Sequence, residues 1–322
     1  MFRSGCGATL NNEGKQVVAP GEKKKFTYLG ERTFEGAFVD FAVFAARGVK
    51  PGPTLRVTSA IHGDEVNSVE IARRVFAGVD AQALAGTLIV LPAVNSSGFR
   101  TANRYLPDRR DLNRSFPGSA NGSLASILAK AEFSGVIRDC THLIDLHTGS
   151  NLRTNYPQIR VDIEHPGALD MARSFGVGII VPGGGPQGSL RREALDAGVV
   201  SIIYEAGPPY IFVEDEIERG TYGVRNVMIH LGMVVSKVQP EQSKILGKSH
   251  WIRVPRGQGG IYIPLVKLGD VVTEGQLLGT VTDPVTDQAN EIRATDAGLV
   301  VGMALSQVVL SGYGLFHVGE VK

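Results

Sequence analysis

Two cysteines in 322 residues, Cys6 and Cys140, are too few for a disulfide framework and fit a reducing compartment. No stretch approaches ~20 uninterrupted apolar residues, so no helix is expected to span a bilayer. The N-terminal MFRSGCGATLNNEGKQ lacks the apolar core of a signal peptide, and cytoplasm is the expected compartment. An excess of one charge is missing as well. The 33 Lys and Arg residues face 32 Asp and Glu for a net charge of +1, which gives no reason to expect nucleic acid or membrane as partner. At 20% charged and 43% apolar, the balance is that of an ordinary globular chain. Glycine, by contrast, is abundant at 40 residues. Pairs such as Gly183-Gly184 and Gly259-Gly260 imply many tight connections rather than long helices.

The length is large for a single core, so one main domain and one smaller domain are expected. Residues 1–50 read as a β segment that packs on the main domain, because 33–48 is rich in aromatic and branched side chains. Over 51–235 short apolar runs at 55–61, 87–94, 142–147, 178–182 and 199–205 alternate with helix candidates near 66–77, 122–138, 166–175, 187–197 and 213–231. Runs of that length, almost continuously apolar, suit strands buried on both faces. Their alternation with helices predicts an α/β domain built on a mostly parallel sheet. The polar stretch 236–247 reads as a linker, and 248–322 as a small all-β domain.

Ligands in such sheets bind beyond the carboxyl ends of the strands. There the sequence places His62-Gly63-Asp64-Glu65, then Asp145-Leu146-His147, then Tyr204-Glu205-Ala206-Gly207. Two histidines and two glutamates thus emerge at one sheet edge. His62 and Glu65, three apart, can share one side of a turn, and His147 adds a third donor from a neighbouring strand. Two His and one carboxylate with an open fourth position is the pattern of catalytic zinc. Most histidines are simply core or surface residues, and His142, His165, His230, His250 and His317 keep that reading. Asp145 faces the same side as His147, where it can accept a hydrogen bond from the ligand or merely cap a turn. Between the second and third strands, NRYLPDRRDLNRSFPG (103–118) carries Arg104, Arg109, Arg110 and Arg114, with Asn113 beside the last. Its prolines and apolar residues point to an ordered loop, and guanidinium groups suit carboxylate capture.

The motifs AIHGDE (60–65), DLNRSFPG (111–118), DLHTG (145–149) and YEAGP (204–208), in that order, resemble the succinylglutamate desuccinylase/aspartoacylase family of zinc carboxypeptidase-like deacylases. The resemblance covers about 55–235. It implies an α/β/α sandwich around a mixed sheet, and hydrolysis of the amide bond of a small N-acyl amino acid by zinc-activated water. It also implies one zinc per chain on His62, Glu65 and His147, with Glu205 as general base and then acid. Asn113 and Arg114 match the pair that grips a substrate carboxylate. Arg104 matches the arginine that polarises the scissile carbonyl, with Arg109 and Arg110 as alternatives because the spacing to the Asn-Arg pair is slightly longer here. Arg191 or Arg192 occupies the region of a further substrate-binding arginine.

Within 248–322, the segments 260–284 and 291–319 look like the two halves of a biotinyl/lipoyl-type barrel. The connecting Ala294-Thr295-Asp296-Ala297 has no carrier lysine, so no biotinyl or lipoyl attachment is expected. Such a module can pack on the catalytic domain, shape access to the site, or mediate a homo-oligomer. Two other functions compete: a zinc carboxypeptidase acting on a peptide, which needs a cleft for an extended chain, and a non-catalytic binding protein.

Overall fold

The computed structural model describes residues 17–32, 38–137, 140–236 and 242–321, which form a mixed α/β fold. Strands β1 (Glu22–Arg32) and β2 (Phe38–Arg47) pair antiparallel. The alternating part follows as β3 (Lys50–Ser59), α1 (Val66–Ala77), β4 (Ala85–Leu91), α2 (Ser96–Arg100), α3 (Leu124–Glu132), β5 (His142–His147), β6 (Arg153–Val161), α4 (Pro166–Phe175), β7 (Ile179–Pro182), α5 (Leu190–Asp196), β8 (Val200–Gly207) and α6 (Glu214–His230). The chain continues as β9 (Lys244–Arg253), β10 (Gly260–Pro264), β11 (Val271–Val272), β12 (Leu277–Thr282), β13 (Ala289–Arg293), β14 (Gly298–Ala304), β15 (Val308–Val309) and β16 (Gly314–Val321). Among the described residues no helix is long and apolar enough to cross a membrane.

Local chemistry sets the helix ends. Ser123 Oγ accepts the Ser126 N–H at 3.3 Å to cap α3. Pro166 opens α4 with its φ already helical. Glu214, Asp215 and Glu216 at the start of α6, with His230 at its end, complement the helix dipole. Strand β4 shows how the sheet is buried from both sides. Leu88 and Val90 join the apolar cluster of α1, α4 and α6, while Ile89 and Leu91 join that of α3 and α5.

The main sheet has twelve strands in the order β1-β2-β4-β3-β5-β8-β6-β7-β9-β16-β14-β11. Its centre, β4-β3-β5-β8, is a continuous parallel block, and β6-β7-β9 forms a second. Within 51–235 the sheet is mostly parallel, as expected: antiparallel ladders flank it at both ends, and inside it only β6 departs, running antiparallel to β8. The reason is the connection from His147 to Arg153, too short for the crossover that a parallel return needs. Strand β6 escaped the sequence pattern because Pro157 and its arginines interrupt the apolar run.

Residues 244–247, read as linker, are the start of β9, which runs parallel to β7 from the Ile179–Lys244 pair. Leu246 is buried there among Ile179, Val181, Leu299 and Val301, and its polar neighbours mask the strand. Residues 237–241 lie outside the described residues, as do 1–16 and 33–37 of the N-terminal β segment. Because β14 also pairs with β6, strands β6, β7, β9, β16 and β14 close into a five-stranded barrel. A four-stranded sheet, β13-β12-β10-β15, packs over a separate core around Tyr262, Leu278, Val281 and Phe316.

Candidate active site

The site forms where β3, β5 and β8 end. After Ser59 the backbone turns sharply: Ala60 takes a φ of 48°, a left-handed conformation that is uncommon for a residue with a side chain. Its N–H is satisfied at 3.1 Å by Ser68 Oγ, which in turn donates to the Glu65 carbonyl at 2.5 Å. Gly63 is required at this turn, because a Cβ there would lie 1.9 Å from the Gly98 carbonyl carbon of α2. The turn presents His62 and leaves Glu65 at the N-terminus of α1, where the helix dipole favours a negative charge.

His62, Glu65 and His147 converge, all buried, with their donor atoms within 4.8 Å of one another. Glu65 bridges the two imidazoles: Oε1 lies 2.7 Å from His62 Nδ1, and Oε2 lies 2.8 Å from His147 Nδ1. The opposite ring nitrogens each donate to a carboxylate. His147 Nε2 meets Asp145 Oδ2 at 2.9 Å, and His62 Nε2 meets Asp111 Oδ1 at 3.2 Å. Both rings thereby turn Nδ1 inward with the far N–H held by a carboxylate, the support that metal-binding imidazoles usually have. Burial pushes the pKa of His62 and His147 down, but the facing carboxylates outweigh it and raise both. Burial likewise pushes Glu65 up, and the two imidazoles pull it well below the usual carboxylate range. Two imidazole nitrogens and a carboxylate, oriented from behind and open to a pocket in front, fit one zinc ion.

That pocket has a volume of about 380 Å³. Glu205 lines it together with the triad, as do Arg104, Asn113, Arg114, Arg153, Arg160 and Arg191. Glu205 Oε2 accepts from Asn155 Nδ2 at 2.7 Å and lies 2.9 Å from Arg160 Nε. Arg104 stands beside the triad, with Nη1 3.2 Å from His62 Nδ1 and Nη2 2.7 Å from Asp111 Oδ2. Arg109 and Arg110 do not line this pocket; both are exposed. Asn113 is buried, and its Oδ1 accepts the Leu190 N–H that opens α5 at 2.8 Å. Arg114 is exposed to the pocket and donates to the Asn113 carbonyl at 2.5 Å. Arg191 and Arg192 separate clearly. Arg191 is 4% exposed and lines the pocket, with Nε and Nη1 lacking any hydrogen-bond partner in the protein. Arg192 points outward and pairs with Asp196 at 3.0 Å.

Several site residues were not assigned a role from the sequence. Asp111 belonged to an expected loop, Asn155 and Arg160 lie on the unrecognised β6, and Trp251 comes from β9 to line the same pocket. Asp64 is buried, held by Ser150 Oγ at 3.0 Å, and does not line the pocket.

Residues 51–231 match the succinylglutamate desuccinylase/aspartoacylase catalytic domain, and the chain belongs to that family. It is 26% identical to the N-alpha-acetyl-L-2,4-diaminobutyric acid deacetylase of Halomonas elongata, over 84% of this chain and 83% of the relative. Its fold is similar to a succinylglutamate desuccinylase/aspartoacylase from Rhodobacter sphaeroides, with TM-score 0.85, 21% identity and coverage of 93% of this chain and 95% of the other. It is also similar to a product-bound ectoine utilization protein from Ruegeria pomeroyi, with TM-score 0.83, 23% identity and coverage of 94% and 97%.

Proposed function

We propose that this chain is a zinc-dependent amidohydrolase that removes the acyl group from a small N-acyl amino acid. The observation that carries the reading is the convergence of His62, Glu65 and His147 with Glu205 on one small, arginine-lined pocket. Zinc held by the triad would supply Lewis acidity, polarising the scissile carbonyl and making water a better nucleophile near neutral pH. Glu205 takes the proton from the attacking water and returns it to the departing nitrogen. Arg104, beside the triad, stabilises the negative charge that develops on the carbonyl oxygen. Arg114 and the Asn113 amide hold a substrate carboxylate, and Arg191 offers its unpartnered guanidinium to the same or a second anionic group. The pocket lies at the small end of ligand-site volumes, which supports a compact substrate over an extended peptide. The family relationship and the deacetylase activity of the Halomonas relative support the same reaction class.

The test is hydrolysis of N-acetyl-L-2,4-diaminobutyrate, N-acetyl-L-aspartate and N-succinyl-L-glutamate by zinc-loaded protein, with release of the free amine as readout. At least one should be hydrolysed, and Glu205→Gln should lose ~10²-fold or more in turnover while keeping its zinc. Inertness toward all three contradicts the reading.

A further inference from the structure

We infer that Asn155 is a positioning residue for Glu205, and that the C-terminal strand β14 sets its pose through Gly302. The inference rests on the reading of Glu205 as general base. Asn155 Nδ2 and Arg160 Nε both approach the same oxygen of Glu205, Oε2. That arrangement leaves Oε1 to take and return the proton. A carboxylate doing this must not rotate, so the orientation of the Asn155 amide matters.

On one side Asn155 pairs with Gly207 of β8, and that ladder shifts register between Asn155 and Gln158. On the other side it is held by β14, in a ladder without a shift. Gly302 lies directly opposite Asn155, followed by the pairs Met303–Thr154 and Ala304–Arg153, and the Leu305 N–H donates to the Leu152 carbonyl at 2.7 Å. A Cβ at position 302 would lie 3.1 Å from Asn155 Oδ1, 3.2 Å from His317 Cβ and 3.4 Å from the Trp251 ring. Trp251 and His317 are stacked, with ring centroids 5.2 Å apart, and the Arg153 guanidinium lies 5.3 Å from the Trp251 ring. The stacking holds the two rings in place, and the Asn155 oxygen is the closest of the three neighbours. The Asn155 amide is the neighbour that would move, and with it the hydrogen bond to Glu205. The C-terminal strands thus act on catalysis itself, through one amide, as well as walling the pocket.

The experiment is steady-state kinetics of zinc-loaded Gly302→Ala, Asn155→Ala, the double variant and Glu205→Gln, on whichever of the three N-acyl amino acids the unmodified protein hydrolyses fastest. Gly302→Ala and Asn155→Ala should each lower kcat roughly 10- to 100-fold, the scale of one hydrogen bond to a charged group, with KM and zinc content little changed. The double variant should be no worse than Asn155→Ala, because the effect of Gly302 passes through Asn155. Full kcat in Gly302→Ala, or losses that multiply in the double variant, overturn the inference. Should Gly302→Ala fail to fold, Asn155→Asp carries the test: it replaces the donor with an acceptor of the same shape, and unchanged kcat overturns the inference. Glu205→Gln separates the two layers. If it stays active, the general-base reading itself fails; if it is inactive while the other losses multiply, only the positioning role fails.

Discussion

Asp145 and His147 lie two residues apart on β5, and their side chains meet: His147 Nε2 donates to Asp145 Oδ2 over 2.9 Å, which turns Nδ1 toward Glu65. The bond holds the orientation of the ring before any metal arrives. Asp145→Ala should therefore weaken zinc binding roughly 10- to 100-fold, the usual cost of losing such a partner. Competition with a chromogenic chelator measures this, and an unchanged affinity would mean that β5 alone orients the ring.

Zinc uptake should expel protons. The pKa values of His62 and His147 are raised, so their imidazoles hold protons that a cation must displace. Affinity should fall as pH falls, because more of the ligand imidazoles are then occupied by competing protons. Calorimetry in buffers of different ionisation enthalpy reads the proton release directly. A zinc affinity independent of pH on the acid side of neutrality would contradict this picture of the site.

The adjacent arginines of α5 should behave oppositely. Burial, followed by the charge of Arg160, brings the Arg191 pKa down to about 10, so it stays cationic at neutral pH, without a protein partner at Nε or Nη1. Removing a charge-assisted contact costs about 1.5–3 kcal/mol, so Arg191→Gln should lower kcat/KM roughly 10- to 150-fold. The exposed Arg192→Gln should leave it unchanged. Arg114→Ala should cost activity on the free acid of the substrate and little on its ester. Equal losses on both forms would make Arg114 a structural residue.

What was legible in the sequence was whatever local order determines. The helix candidate at 66–77 coincides with α1 and that at 166–175 with α4, since apolar periodicity is a local property. His62, Glu65, His147 and Glu205 stood out because each follows or ends an apolar run. Asp111 did not, since a loop acid gives no hint that it will back a histidine 49 residues away. Asn155 and Trp251 were hidden for the same reason. They reach the pocket through ladders between distant strands, and such pairings leave little trace in either segment.

Acid stability should depend on His317. Burial brings its pKa down to about 4, with the nearby Arg160 and His250 charges acting in the same direction. Unfolded, it titrates near ~6.5, so between these values the unfolded chain binds the proton more strongly. Stability should therefore fall as pH drops through that window, by at most about 3.5 kcal/mol from this group at ~1.4 kcal/mol per pH unit. His317→Phe, which can still stack on Trp251, should flatten the slope of urea midpoint against pH. The same acid loss in that variant would assign the effect elsewhere.

The most direct test of the central claim is a zinc titration of chelator-stripped protein, followed by hydrolysis of the best N-acyl amino acid substrate. Activity should be absent at first, rise in proportion to added zinc and level off at one ion per chain. His62→Ala and His147→Ala should show no such rise at the same zinc concentrations. Full hydrolysis by the stripped protein, or an unaltered titration in either variant, would contradict the account.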